Sequence, residues 1–213
     1  MDVILASNSP RRRQLLRMLG LDFRVVPANV DETPLEGEAA PAYVRRLAAA
    51  KAKTVSEQFP DALVIAADTT VADGNQILGK PVDAEDAARM LHQLRGRSHQ
   101  VYTGVAAARA DQLRADLCAT EVPIRNFSDA EMRAYIASGD PLDKAGAYAI
   151  QHAGFHPVAE LRGCYANVVG LPLCHLVRLL RAFDVSPDAD IPAGCREIFG
   201  YECPIYQAII GEW

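Results

Sequence analysis

The sequence predicts an α/β fold around a mixed β-sheet, and three observations carry that reading. A strand of buried type at 2–6 (DVILA) runs into a helix at 10–19, the strand-then-helix unit of α/β proteins. Apolar strands and amphipathic helices then alternate along the chain, but imperfectly. Several neighbouring strands read as antiparallel, among them the pair joined at Asp73-Gly74, so the sheet is mixed. At 213 residues, 50% of them hydrophobic, the chain can bury one substantial core.

In chain order, Ser9 stands as a helix N-cap, Pro10 at the first helical position and Gly20 at the far end. Leu15, Leu16 and Leu19 give this helix its apolar face. A second strand is expected over 22–27, then a polar loop containing NVDETPLEGE, then a helix over 41–58 that begins at Pro41. LVIAADTTVA (63–72) reads as a buried strand that folds back at Asp73-Gly74 through QIL to Gly79-Lys80-Pro81. Asp83 starts a helix that ends near Gly96, with Ala87, Met90, Leu91 and Leu94 facing inward. HQVYTGVAAAR (99–109) and CATEVPIRNF (118–127) read as paired strands. Ser128 and Glu131 form a capping box for a helix to about 137. GDPLDKAGAYAIQ (139–151) is an irregular loop, strands are expected near 156–162 and 165–169, and Pro172 begins a last helix. Residues 1–185 read as one domain and 186–213 as an extension.

Composition excludes several classes of function. The net charge is −5, so a polyanion must be drawn by a local cluster of cations, which argues against a general nucleic-acid binder. No apolar run approaches the roughly 20 residues that span a bilayer. The start, MDVILASNSP, lacks the basic and long apolar stretches of a signal peptide, so a cytoplasmic setting is expected. Five cysteines in such a compartment, none in a CxxC pair, read as unpaired thiols; Cys195 and Cys203 are the pair to check.

Some residues look misplaced as structure. Arg11, Arg12 and Arg13 crowd a helix N-terminus whose dipole is already positive, where each costs roughly 0.3–1 kcal/mol. They are tolerable if a phosphate lies between them and the helix end, cradled by the turn Ser7, Asn8 and Ser9; otherwise they are a solvated basic turn. Lys51 falls in the middle of the apolar stripe formed by Val44, Leu47, Ala48 and Val55, so it must snorkel out or meet an anion. Asp68 interrupts the buried run LVIAADTTV and needs a cation, a metal or hydrogen-bond donors, unless it merely ends the strand. Asp31 and Glu32 offer further carboxylates, and Lys80 and Lys144 follow or sit in glycine turns where either could be a surface charge. Together these describe cations around a polyphosphate, with carboxylates suited to a hard divalent metal.

The motifs SNSPRRRQLL, VDE, the helix lysine at 51, AADTTV, GKP, HQVYTG, GDPLDKAGAYAIQ and VVGLP occur in the order seen in the Maf family, over residues 2 to 183. This resemblance implies a Maf/ITPase-like α/β fold, elongated and two-lobed around the central mixed sheet, with a deep cleft and a homodimeric assembly. It implies hydrolysis of a nucleoside triphosphate between the α and β phosphates, with Mg²⁺ or Mn²⁺ as the divalent metal cation. Asp68 matches the family's acid-base residue, and Ser7, Ser9, Arg11 and Arg12 its phosphate-binding loop. Glu32, Lys51 and Lys80 match the remaining charged positions; on this reading Asp68 and Glu32 are the candidate metal ligands, with Asp68 serving either as the base or mainly as a ligand. Arg12, Thr69 and Gln151 together resemble the dTTP/UTP pyrophosphatase branch. The amide of Gln151 offers the donor and acceptor that a pyrimidine O4 and N3–H require. Two rival readings keep the same residues: the same chemistry on another base such as 7-methyl-GTP, or a nucleotide-binding regulator of septum formation that turns nothing over. The extension departs from the family pattern, and its apolar residues, among them Phe199, Tyr201, Ile209 and Trp213, are expected to pack on the domain or a partner.

Overall fold

A computed structural model describes residues 1–211; Trp213 lies outside the described residues. Six strands form one mixed sheet: β1 (Val3–Leu5), β2 (Arg24–Val25), β3 (Leu63–Asp73), β4 (Gln76–Leu78), β5 (Ser98–Arg109) and β6 (Gln112–Pro123). Their order is β2-β1-β3-β5-β6, with β4 also on β3. β1 runs parallel to β2 and β3, and the other pairings are antiparallel.

The split edge of β3 positions everything that follows. One edge pairs with β5 from Val64 to Ala72. The other pairs with β1 over Leu63–Ile65 and with β4 over Val71–Asp73, and no described strand covers the residues between. The sheet thus opens at Ala66–Thr70, and Asp68 lies in that opening.

Helices cover both faces. α1 (Pro10–Arg17) and α6 (Leu173–Arg181) pack with Leu63, Ile65 and Ala67 on one face. α2 (Ala40–Ser56) lies on the other, where Ala48, Ala52 and Val55 meet Val64 and Ala66. A second lobe is built on the far ends of β3, β5 and β6, where Val71, Val101 and Val122 pack with α3 (Ala84–Leu94) and α4 (Asp129–Ala137). Ala87, Met90, Leu91 and Leu94 are the buried residues of α3, and the capping box of Ser128 and Glu131 opens α4.

Two expectations are corrected. Residues 165–169 form a helix, α5 (Tyr165–Val169), closed by Gly170 at φ +119°, and 156–162 contribute only one bridge, Val158 to Ile124. The valines of α5 suit a strand, but the Cys164 thiol caps a helix by accepting from the Asn167 amide. β6 begins at Gln112, not 118, because its polar outward residues Gln112 and Arg114 still pair along β5. It ends at Pro123, where Ile124 leaves to bond the Arg97 carbonyl.

Beyond Val185 the chain forms α7 (Ile191–Phe199) and α8 (Tyr206–Ile210). Ile191 and Cys195 are buried, and Phe199, Ile205, Tyr206, Ile209 and Ile210 rest against the α1–α6 core. All five cysteines are free thiols, Cys195 and Cys203 included.

Candidate active site

A cleft of about 790 Å³ opens at the split in the sheet. The ten site residues that the family resemblance assigns all line it, Ser7, Ser9, Arg11, Arg12, Glu32, Lys51, Asp68, Thr69, Lys80 and Gln151, whereas the loop carboxylate Asp31 does not. Among its charged lining residues are five cations (Arg11, Arg12, Lys51, Lys80, Lys144) and three carboxylates (Glu32, Asp68, Asp143). In a chain of net charge −5 this is a local positive excess, which suits a polyanion.

Strand alternation divides the labour at the opening. Asp68 points to the α2 face and Thr69 to the α1 face. On the first side Lys51 is buried, 7% exposed, and its Nζ lies 2.6 Å from both Asp68 Oδ1 and Glu32 Oε1. The lysine in the apolar stripe therefore neither snorkels nor stays unpaired. Burial raises the Asp68 carboxyl above its ordinary value, partly offset by the charges of Lys51 and Arg12.

On the second side the Arg12 guanidinium spans three elements. It donates to the Gly170 carbonyl at 2.9 Å, Ser7 Oγ at 3.3 Å and Thr69 Oγ1 at 3.1 Å. Thr103 Oγ1 donates to the Asn167 carbonyl at 3.1 Å, so the 2.9 Å bond between the two threonines runs from Thr69 to Thr103. A single directed chain thus leads from Arg12 through Thr69 and Thr103 to α5.

The other first-turn arginines also find partners, although Arg13 Nε is buried without one. Arg11 faces Asp143 at 3.6 Å, and Arg13 turns back to the Asn8 carbonyl at 3.0 Å, outside the cleft lining. Ser9 caps α1 by accepting from the Arg12 amide, and Ser7 Oγ accepts from the Ser9 amide at 3.3 Å.

A family model described as Maf-like protein matches residues 2–183. The chain belongs to the Maf family. Curated relatives named dTTP/UTP pyrophosphatase include one from Myxococcus xanthus (strain DK1622), 54% identical, which covers 84% of this chain and 90% of the relative. Another, from Pelotomaculum thermopropionicum, is 47% identical over 85% of this chain and 96% of its own. Among solved structures, the Staphylococcus aureus Ham1 protein is similar at 15% identity over 74% of this chain and 80% of that one, with a TM-score of 0.48.

Lys144, which the sequence leaves open as a surface charge, lines the cleft of this Maf chain, and the supporting residue Asn167 escapes a sequence reading. Lys144 is buried and donates to the Asp140 carbonyl at 2.6 Å, Asp140 Oδ1 at 2.8 Å and Asp143 Oδ1 at 2.6 Å. Asn167, fully buried on α5, donates to the Val101 carbonyl and Thr120 Oγ1. Its one visible signal is a polar residue inside YANVVGLP. His152 caps its own turn, its Nδ1 accepting from Gly154 and Phe155, and is not part of the lining.

Among the described residues, no group of three or more His, Cys, Asp or Glu side chains is placed to hold a metal ion. Two carboxylates, Asp68 and Glu32, do converge on one cationic position, the one that Lys51 Nζ marks. That donor set fits a Mg²⁺-type ion, which keeps several waters and takes other oxygens from substrate phosphates.

Proposed function

We propose that this chain hydrolyses dTTP and UTP between the α and β phosphates, giving the monophosphate and pyrophosphate. The observation that carries this reading is the buried Asp68 carboxylate in a cleft walled by five cations. The names of the relatives at 54% and 47% identity support the same substrates.

Arg11, Arg12, Lys51 and Lys80 bind the triphosphate and neutralise charge that grows on the departing pyrophosphate. Ser7 and Ser9 already accept hydrogen bonds at their oxygens, which reserves each hydroxyl proton for a phosphate oxygen. Asp68 orients a water for attack at the α-phosphorus and takes its proton; the charge of Lys51 offsets part of the upward push that burial exerts on its carboxyl. Asp68 and Glu32 would hold Mg²⁺ or Mn²⁺, which when bound supplies positive charge to the phosphate oxygens. Gln151, exposed on the rim of the lining, reads the pyrimidine O4 and N3–H through its amide.

The reading carries a cytoplasmic setting, supported by five free thiols. No described helix is long and apolar enough to cross a membrane. It also carries a homodimer, supported by membership of the family.

A panel of nucleoside triphosphates with pyrophosphate detection, in Mg²⁺ or Mn²⁺, tests the substrate. dTTP and UTP should be the best substrates, and preference for 7-methyl-GTP or no turnover at all would refute the reading. Asp68→Asn keeps the shape and removes the charge, and should lower kcat/KM by about 100-fold or more.

A further inference from the structure

The segment that carries Glu32 has no regular secondary structure, and residues 31 to 37 are exposed. Little in such a segment decides where a glutamate points; α2 does. Tyr43 Oη donates to the Glu32 carbonyl at 2.9 Å. Arg46, three residues on and on the same helix face, grips Glu38 with a fork: Nε to Oε1 at 2.7 Å and a terminal nitrogen to Oε2 at 2.6 Å. The same terminal nitrogen reaches the Thr33 carbonyl at 3.2 Å. Glu38 Oε2 also accepts from the Leu35 amide at 3.1 Å, and the Glu38 amide donates to the Leu35 carbonyl at 3.0 Å. The arginine holds the Glu38 carboxyl at about 2, so the pair is ionised throughout the neutral range.

A bidentate pair fixes orientation as well as distance. Here it ties both ends of a short polar loop, residues 33 and 38, to one helical side chain. That helix also carries Lys51, on which the Glu32 carboxylate rests at 2.6 Å. Resting on the pyrophosphatase reading above, we propose that Arg46 and Glu38 are positioning residues, a clip that presents Glu32 to the Lys51–Asp68 centre before substrate arrives. Preorganisation of this kind acts on rate, because a group already in place needs no ordering in the transition state. An ordinary surface ion pair would contribute little to stability and nothing to turnover.

Three variants of the full chain decide the matter: Arg46→Met, Glu38→Gln, and the exchanged pair Arg46→Glu with Glu38→Arg. Amide hydrogen exchange is measured without nucleotide, and steady-state kinetics with dTTP and Mg²⁺. Each single variant should speed exchange at the Leu35 amide and lower kcat about tenfold, with KM changed less than about threefold because the phosphate-binding cations are untouched. The exchanged pair should recover part of both losses. Faster exchange with wild-type kcat would overturn the proposal, and so would unchanged exchange in both single variants. Should Arg46→Met fail to fold, Glu38→Gln, which removes one charge and keeps the shape, carries the same test. A wild-type chain that releases no pyrophosphate from dTTP would refute the functional reading instead; the exchange data then decide the clip alone.

Discussion

His99 enters β5 buried, its Nε2 2.8 Å from the Tyr148 hydroxyl and the two rings edge to face at 5.4 Å. Tyr148 lines the cleft, so this histidine props a wall of the site without touching it. Burial lowers its pKa from 6.5 to about 4. The unfolded chain therefore binds the proton more readily, and folding is favoured as pH rises. The contribution is fully present above about 6.5 and is lost as pH falls toward 4, with a span of roughly 3 kcal/mol. Urea unfolding of the wild type and His99→Gln at pH 7.5 and 4.5 should show the gap between pH values shrink in the variant. An equal pH dependence in both chains would mean that the histidine is not held neutral. The three first-turn arginines follow the same logic of partners: Asp143, the Gly170 carbonyl and the Asn8 carbonyl each take one.

At the scale of elements, α2 reaches Asp68 because β5 carries a glycine opposite it. Gly104 pairs with Asp68 across the sheet, and a Cβ there would sit 2.3 Å from the Val44 carbonyl oxygen and 2.9 Å from the Arg45 nitrogen. Those are backbone atoms of the helix and cannot rotate aside. Gly104→Ala should push α2 off the sheet, cost about 1–3 kcal/mol by overpacking, and draw Lys51 away from Asp68. A lower Tm together with reduced kcat/KM for dTTP is the expected pair of results; an unchanged Tm would show that the helix has slack. This contact also marks the limit of what a sequence reveals. Lys51 and Asp68 were legible because each is a charge set in an apolar pattern of its own element, and Ser9, Pro10 and Gly20 because caps are local. Gly104, Asn167 and the Arg46–Glu38 fork were not, since their meaning lies in partners across space or in side-chain geometry. The strand expected over 165–169 failed for a related reason: β-branched residues describe a preference, and the Cys164 cap and Gly170 turn overrode it.

Over the whole molecule, the extension and the cleft are separable by position. Every residue that lines the cleft precedes Leu171. The extension instead covers the outer side of α5 and α6: Tyr165 stacks on Phe199 at 4.5 Å, Tyr201 Oη donates to the Gly163 carbonyl at 2.9 Å, and α8 packs against α6. Removing residues after Val185 uncovers an apolar helix face whose fully buried side chains are each worth about 1.5–3 kcal/mol. The ordering entropy of the removed segment offsets most of this. A net loss of about 2 kcal/mol corresponds to a fall in Tm of about 4–8 °C for a chain of this size. Turnover should not follow it down, since Asp68, Lys51 and the arginines are anchored to β3, α2 and α1. A chain ending at Val185 is thus expected to melt earlier and to keep kcat/KM for dTTP within about twofold at 20 °C. If the shortened chain instead keeps its Tm and loses turnover, the extension acts on the cleft through α5, and its packing against the core is incidental.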